Sequence, residues 1–119
     1  MHQAHLTVSQ HTIAGGVHVL ALAGEIDHTT ADTFRQALTA DDDVSSQYLV
    51  VDFHGVTFMD SSGINVLVAA NNAARARDGW LRLADVPKPV LDVLHIVGLD
   101  DVIPLYPTLS QALAPEAAA

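Results

Sequence analysis

The stretch that decides the fold is Phe58-Met59-Asp60-Ser61-Ser62-Gly63-Ile64, which follows a strand-like apolar run and opens a long helix-like run. This corner places two hydroxyl groups beside a carboxylate and a glycine. Hydroxyl groups at a helix N-terminus lie next to unpaired backbone N–H groups and the positive end of the helix dipole. The corner is therefore predicted to suit a phosphoryl group, either bound from solution or carried covalently on a serine.

Apolar runs on both sides of this corner predict five strands, the first two joined as a hairpin through Ala14-Gly15-Gly16. The predicted strands are residues 5–9, 17–23, 48–53, 80–84 and 102–105. Four helices are predicted: one with Thr29 as its N-cap, one over residues 61–77, one over 90–97 opened by Lys88-Pro89, and a short one capped by Thr108.

The resulting order, β-β-α-β-α-β-α-β-α, predicts an α/β fold whose strands are largely parallel after the first hairpin. A length of 119 residues suits one domain with one core. We expect a single domain over residues 1–119, with a frayed tail from about 114 to 119.

The amino-acid composition excludes several classes of function. Five basic residues against fourteen acidic ones give a net charge of −9, too little basic charge for a nucleic-acid face or for direct binding to an anionic membrane. The small basic cluster is Arg75, Arg77 and Arg82. The absence of cysteine excludes disulfides, thiol catalysis and Cys-based zinc sites. No apolar stretch spans a bilayer and no secretory signal is visible, so a soluble, cytoplasmic protein is expected.

The helix that follows the corner is apolar on more than one face. Such a helix is either packed deeply or lies at an interface. Deep packing against the sheet is the first interpretation. The second is that Val66, Ala69 and Ala73 form a docking patch for a partner.

The sequence gives little support to three other kinds of site, namely a hydrolase triad, a metal site and a nucleotide site. A hydrolase triad of Ser61, His95 and either Asp85 or Asp92 lacks the G-x-S-x-G elbow, and the serines could simply be helix caps. The seven histidines form no helical metal pair, and Asp41-Asp42-Asp43 lacks the glycine and glutamate of a calcium loop. No glycine-rich nucleotide motif is present, so neither a metal nor a cofactor is expected.

Three segments of the chain together resemble one known protein family. The first is Gly55-Val56-Thr57-Phe58-Met59-Asp60-Ser61-Ser62-Gly63-Ile64. The second is Gly24-Glu25-Ile26-Asp27-His28-Thr29-Thr30-Ala31, and the third is Val97-Gly98-Leu99-Asp100-Asp101-Val102-Ile103-Pro104-Leu105-Tyr106. They resemble, in that order, the phosphorylation segment, the loop after the second strand and the C-terminal run of the STAS-domain anti-sigma factor antagonists. The resemblance covers essentially the whole chain, in order and with the right spacing.

The resemblance implies a single mixed sheet with flanking helices and no catalytic activity. It implies binding to an anti-sigma factor that is also an ATP-using serine kinase, phosphorylation of Ser61 by that kinase, and reversal by a serine phosphatase. Asp27, Asp60, Ser62 and Gly63 would lie beside the phosphoacceptor, with Ser62 expected to be the helix cap. The alternative is a STAS module of another system, such as a stressosome-like scaffold, a lipid-transport subunit or the regulatory domain of a transporter.

Overall fold

The computed structural model describes residues 4–13, 15–38 and 48–114. Its elements follow the predicted order, with one additional 3₁₀ helix at Leu99–Asp101. The strands are Leu6–Thr12 (β1), Val17–Ile26 (β2), Tyr48–Met59 (β3), Trp80–Ala84 (β4) and Leu105–Tyr106 (β5). The α-helices are Ala31–Leu38 (α1), Ser61–Ala76 (α2), Lys88–Ile96 (α3) and Leu109–Leu113 (α4).

All five strands form one mixed sheet, in the spatial order β1-β2-β3-β4-β5. β1 pairs antiparallel with β2, which confirms the predicted hairpin. The other three pairings are parallel, as the alternation of strands and helices predicts. The carboxyl ends of β2 and β3, where Ile26 lies opposite Met59, form the edge called here the carboxyl edge. β4 ends farther back, opposite Asp52 of β3.

β2 and β3 are longer than the sequence predicted because they pair beyond their apolar runs, as far as Ile26 opposite Met59. The pairing is interrupted by register shifts, one of them between Gly24 and Glu25. Gly24 has φ +116°, and a Cβ built there would lie 2.1 Å from the carbonyl oxygen of His5. Only glycine fits this position without strain. The extra residue of the irregularity is Thr57 in β3, because Val56 pairs with Gly24 and Phe58 with Glu25, and the two strands remain paired beyond it.

The last strand begins later than predicted. Val102 and Ile103 have strong strand propensity, but they follow Gly98, which adopts the left-handed conformation with φ 76° and starts the 3₁₀ helix. Leu99 and Ile103 are buried, and the Ile103 amide donates to the Leu99 carbonyl. Burial of both side chains therefore favours a turn here, and strand pairing is delayed to Leu105.

Helices cover the two faces of the sheet unequally. The main core joins Phe34 of α1, Leu67 of α2 and Leu94 of α3 to residues such as Leu20 and Val51 of the sheet. The opposite face is covered by α4, through a smaller cluster that contains Val50, Ala84 and Ala112. Arg82 is also buried on this second face, so of the small basic cluster only Arg75 and Arg77 are exposed.

Two predictions fall on residues outside the described ranges. These are the Asp41-Asp42-Asp43 loop and the frayed tail, of which residues 115–119 lie outside the ranges. Within the described residues, no helix combines the length and the apolar character that crossing a bilayer requires.

Candidate functional site

Two aspartates directly follow paired strand ends at the carboxyl edge of the sheet. Asp27 follows Ile26 and Asp60 follows Met59, and these two preceding residues are partners in the β2–β3 register. The Asp60 amide donates to the Ile26 carbonyl at 3.1 Å, so the pairing continues into the corner itself. Neighbouring strands lie about 4.8 Å apart. The two family-like segments, distant in sequence, are thus brought together at the edge where parallel sheets form ligand sites.

Asp60 is the N-cap of α2. Its backbone is extended, and its side-chain Oδ1 accepts a hydrogen bond from the Ser62 amide at 2.8 Å. The Gly63 amide donates to the Asp60 carbonyl at 3.1 Å. The expectation that Ser62 caps the helix is therefore wrong, because the helix begins at Ser61 and the residue in front of it is the aspartate.

Ser61 is the first helical residue and is exposed. Because Asp60 supplies the cap, the Ser61 hydroxyl is not needed to close the helix end. Within the described part of the chain no hydrogen bond engages this hydroxyl. Ser62, by contrast, is half-buried. Of the two serines, the first is therefore the one that a reagent or a partner protein can reach.

Gly63 allows the start of α2 to approach the strand ends closely. A Cβ built on Gly63 would lie 2.5 Å from Cγ of Met59 and 2.9 Å from Cγ2 of Ile26. Both distances are shorter than ordinary van der Waals contact. The glycine in the Asp-Ser-Ser-Gly segment thus fixes Ser61 close to the ends of β2 and β3.

Asp27 organises the loop between β2 and α1. Its Oδ1 accepts hydrogen bonds from the Thr29 hydroxyl at 2.6 Å, the Thr29 amide at 2.7 Å and the Thr30 amide at 3.3 Å. These donors, led by the Thr29 hydroxyl, hold the pKa of Asp27 below its usual value. Thr29 was predicted to be the N-cap of α1, but α1 begins at Ala31 and Thr29 instead donates to Asp27.

The surface of α2 that follows Ser61 is uncharged. From Ser61 to Ala74 the helix contains no ionisable side chain. Its exposed residues in this range include Ser61, Asn65, Val68, Ala69, Asn72 and Ala73.

Of the predicted docking patch, Ala69 and Ala73 are exposed. Val66 is only 3% exposed and belongs to the main core, so it cannot contribute to a docking surface. The reason is helical periodicity, because Val66 lies on the same side of α2 as the buried Gly63 and Leu67.

Sequence reasoning did not single out Phe58. This side chain is 48% exposed, although it lies two residues before the helix cap on a strand whose neighbour Met59 is buried. Alternation along β3 turns Phe58 away from the face that holds Met59. An exposed aromatic beside a conspicuous polar corner is the signal that could have identified it.

The structure does not assemble the alternative sites. His95 Nδ1 lies 2.9 Å from Asp100 Oδ2, and this hydrogen bond raises the pKa of His95. Asp92 pairs with Lys88 at 3.1 Å, and Asp85 pairs with His54 at 2.9 Å. Thus Ser61 has no histidine partner among the described residues. In the same ranges, no group of three or more acidic or histidine side chains could hold a metal ion.

Comparison with known proteins places this site in a family. Residues 9–112 match the STAS domain. The anti-sigma F factor antagonist of Paenibacillus polymyxa is 31% identical, over 82% of this chain and 85% of its own length. The anti-sigma-F factor antagonist RsfA of Mycobacterium tuberculosis is 31% identical, over 91% of this chain and 84% of its own length.

A solved structure shows the same likeness in three dimensions. The crystal structure of an anti-sigma factor antagonist from Mycobacterium paratuberculosis has a TM-score of 0.82 and 33% identity to this chain, and the match covers 92% of both. The single mixed sheet and its flanking helices are therefore those implied by the resemblance of the three segments. On the evidence of sequence and of fold, the chain belongs to the STAS domain family.

Proposed function

We propose that this protein is an anti-sigma factor antagonist whose activity is switched by phosphorylation of Ser61. In its unphosphorylated form it binds an anti-sigma factor in the cytoplasm and thereby releases the sigma factor. The anti-sigma factor is also a serine kinase that phosphorylates Ser61 with ATP, and a serine phosphatase reverses the modification. The protein acts by binding and has no catalytic activity of its own.

The observation that carries this proposal is the position of Ser61. It is exposed at the first position of α2, next to a cap that another residue provides. The relatives named as antagonists span most of the chain. The uncharged exposed face of α2 offers a docking surface next to the hydroxyl. Such a surface suits a partner that packs closely against a neutral serine.

Phosphorylation would change this surface without unfolding it. The phosphoryl group adds a charge of about −1.5 to −2. The first-turn N–H groups of α2 and the positive end of its dipole can stabilise that charge. Because the hydroxyl of Ser61 is exposed, the added group need not displace any core side chain.

The same charge would oppose binding. Asp60 and Asp27 already make the corner negative, so a partner fitted to the hydroxyl would meet both added bulk and a stronger negative field. Unfavourable charge at an interface typically costs several kcal/mol. Because about 1.4 kcal/mol corresponds to a tenfold change in affinity, we expect at least a hundredfold weakening.

The test compares single substitutions at the two adjacent serines. The partner is first isolated from native extract with wild-type protein as bait, and binding is then measured by calorimetry with purified components. Ser61→Ala should bind with near wild-type affinity but accept no phosphate from the kinase. Ser61→Glu should bind at least a hundredfold more weakly.

Ser62→Ala is the matched control, and it should still be phosphorylated and should still bind. Equal affinity of wild type and Ser61→Glu would contradict the switch. Phosphate incorporation into Ser61→Ala but not into Ser62→Ala would move the acceptor to the second serine.

A further inference from the structure

Three large apolar side chains are exposed where α3 ends and the 3₁₀ helix begins. Ile96 is 81% exposed, Val102 is 55% exposed and Val97 is 53% exposed. These three residues are called here the α3-end patch. Single exposed apolar residues are common on protein surfaces, but three within seven residues form a concentrated surface feature.

The α3-end patch lies away from Ser61 along the sheet. α3 follows the carboxyl end of β4, and β5 pairs with Leu83 and Ala84 of β4. Ala84 lies opposite Asp52 of β3, seven residues before Met59, so the ends of β4 and β3 are about 23 Å apart at about 3.3 Å per residue. The end of α3 and the 3₁₀ helix form the connection between β4 and β5. A partner at the patch would accordingly approach a surface remote from the phosphoacceptor.

The segment that carries the patch is held rigidly. Leu99 and Ile103 are buried and anchor the segment to the core. The Gly98 amide donates to the His95 carbonyl at 3.1 Å and the Val102 amide to the Leu99 carbonyl at 3.0 Å. The 2.9 Å contact between His95 and Asp100 ties the helix end to the 3₁₀ helix. The exposed side chains are thus presented without an ordering penalty on binding.

Carboxylates surround the patch. Asp92 lies one helical turn before Ile96, and Asp100 and Asp101 immediately precede Val102. Lys88 pairs with Asp92, so three aspartates and one lysine leave a charge of −2 in residues 88–102 when His95 is neutral. Asp101 is exposed, and its charge adds to that of Asp100 in raising the pKa of His95.

We propose that the α3-end patch docks a protein segment whose apolar side chains are flanked by lysine or arginine. The apolar residues would bury Ile96, Val97 and Val102, and the cations would meet Asp92, Asp100 and Asp101 around them. A second copy of this chain does not fit, because its net charge of −9 would set carboxylates against carboxylates. An anionic membrane is repelled for the same reason. Docking at this patch is independent of the phosphorylation state of Ser61.

The test uses two synthetic helical peptides with the same leucine face as probes. One carries lysine on its polar face and the other carries glutamate. We expect the lysine peptide to shift the amide NMR signals of residues 91–102 in the full chain, and the glutamate peptide to leave them unchanged. The Ser61→Glu variant should bind the lysine peptide as the wild type does.

Two double variants test the two halves of the proposal. Ile96→Ser with Val102→Ser should weaken binding of the lysine peptide about tenfold, because it removes apolar anchors. Asp92→Asn with Asp101→Asn should weaken it at low salt, and the difference should shrink at high salt because salt screens exposed charges. The four substituted residues are all exposed, so both variants should fold.

Val68→Ser is the matched control, because Val68 is a similarly exposed apolar residue on α2. It should not alter the affinity. Equal binding of the lysine and glutamate peptides would overturn the proposal. So would undiminished binding by the Ile96→Ser, Val102→Ser variant, or signal shifts scattered over the whole surface.

Discussion

Asp27 shows how a single carboxylate can fix a loop beside the phosphoacceptor. One of its oxygens accepts the hydroxyl and the amide of Thr29 and the amide of Thr30. The lowered pKa of Asp27 follows chiefly from the Thr29 hydroxyl. A carboxyl whose pKa is lowered on folding contributes stability that is present above its unfolded pKa and lost as pH falls through its folded pKa.

Thr29→Val should therefore raise the pKa of Asp27 toward the usual value of an aspartate carboxyl, because the strongest donor is removed. The shift can be measured by NMR titration of the side-chain carboxyl carbon. The stability that this carboxyl contributes should be full at neutral pH and should disappear in acid. Thr33→Val is the control, since Thr33 is exposed on α1 and should leave the Asp27 titration unchanged. An unchanged Asp27 titration in Thr29→Val would contradict the assignment.

The position of the corner could be predicted more easily than the role of each residue in it. The sequence indicated a polar strand-to-helix corner, and the structure has one at the predicted place. The assignment of the cap to Ser62 was wrong because aspartate and serine cap helices about equally well. Only the backbone conformation of Asp60, two residues before Ser62, decides between them. Pattern alone does not define a helix boundary to within one residue.

At the scale of elements, Gly24 lets β2 approach the backbone of His5 and Leu6 at the start of β1. We expect Gly24→Ala to lower the free energy of unfolding by about 3 kcal/mol, because it combines left-handed strain with a clash against the β1 backbone. Urea denaturation measures the change. Gly98→Ala is the control, since Gly98 has φ +76° but nothing within 4 Å of a built Cβ. It should lower stability by only about 1 kcal/mol.

A Gly24→Ala variant no less stable than Gly98→Ala would contradict the role of the close approach to His5. Loss of stability shared by both variants to the same extent would indicate backbone strain alone.

Element order was predictable, but element length was not. The predicted third strand ended at residue 53 because Gly55 and Thr57 interrupt the apolar run. The real strand continues because β3 takes up one extra residue at each register shift and stays paired with β2, which is a tertiary effect. The last strand was placed too early for the opposite reason. Val102 and Ile103 favour strands locally, but the burial of Leu99 and Ile103 selects a turn.

At the scale of the whole molecule, Arg82 joins the sheet to the C-terminal helix. Its guanidinium lies 3.8 Å from the centroid of the Trp80 ring and 5.4 Å from that of Tyr106. Its Nη1 donates to the Ala112 carbonyl at 2.9 Å. The smaller core on this face therefore depends on a buried cation that stacks on aromatic rings and binds the end of α4.

Arg82→Met should lower the free energy of unfolding by about 2 kcal/mol, because the Ala112 carbonyl loses a charged donor while the side-chain volume is roughly kept. Hydrogen exchange of α4 amides should accelerate more than that of α2. Arg75→Met, at an exposed position of α2, is the control and should change stability by less than about 0.5 kcal/mol. Wild-type exchange rates in α4 of Arg82→Met would contradict the role of Arg82.

Asp60, and not Ser61, caps α2, and this has a practical consequence. Because the aspartate closes the helix, position 61 can accept a different side chain without loss of the cap. The chain contains no cysteine, so Ser61→Cys would introduce its sole thiol, at an exposed site. An environment-sensitive dye attached there would turn the protein into an optical reporter of what docks over the start of α2.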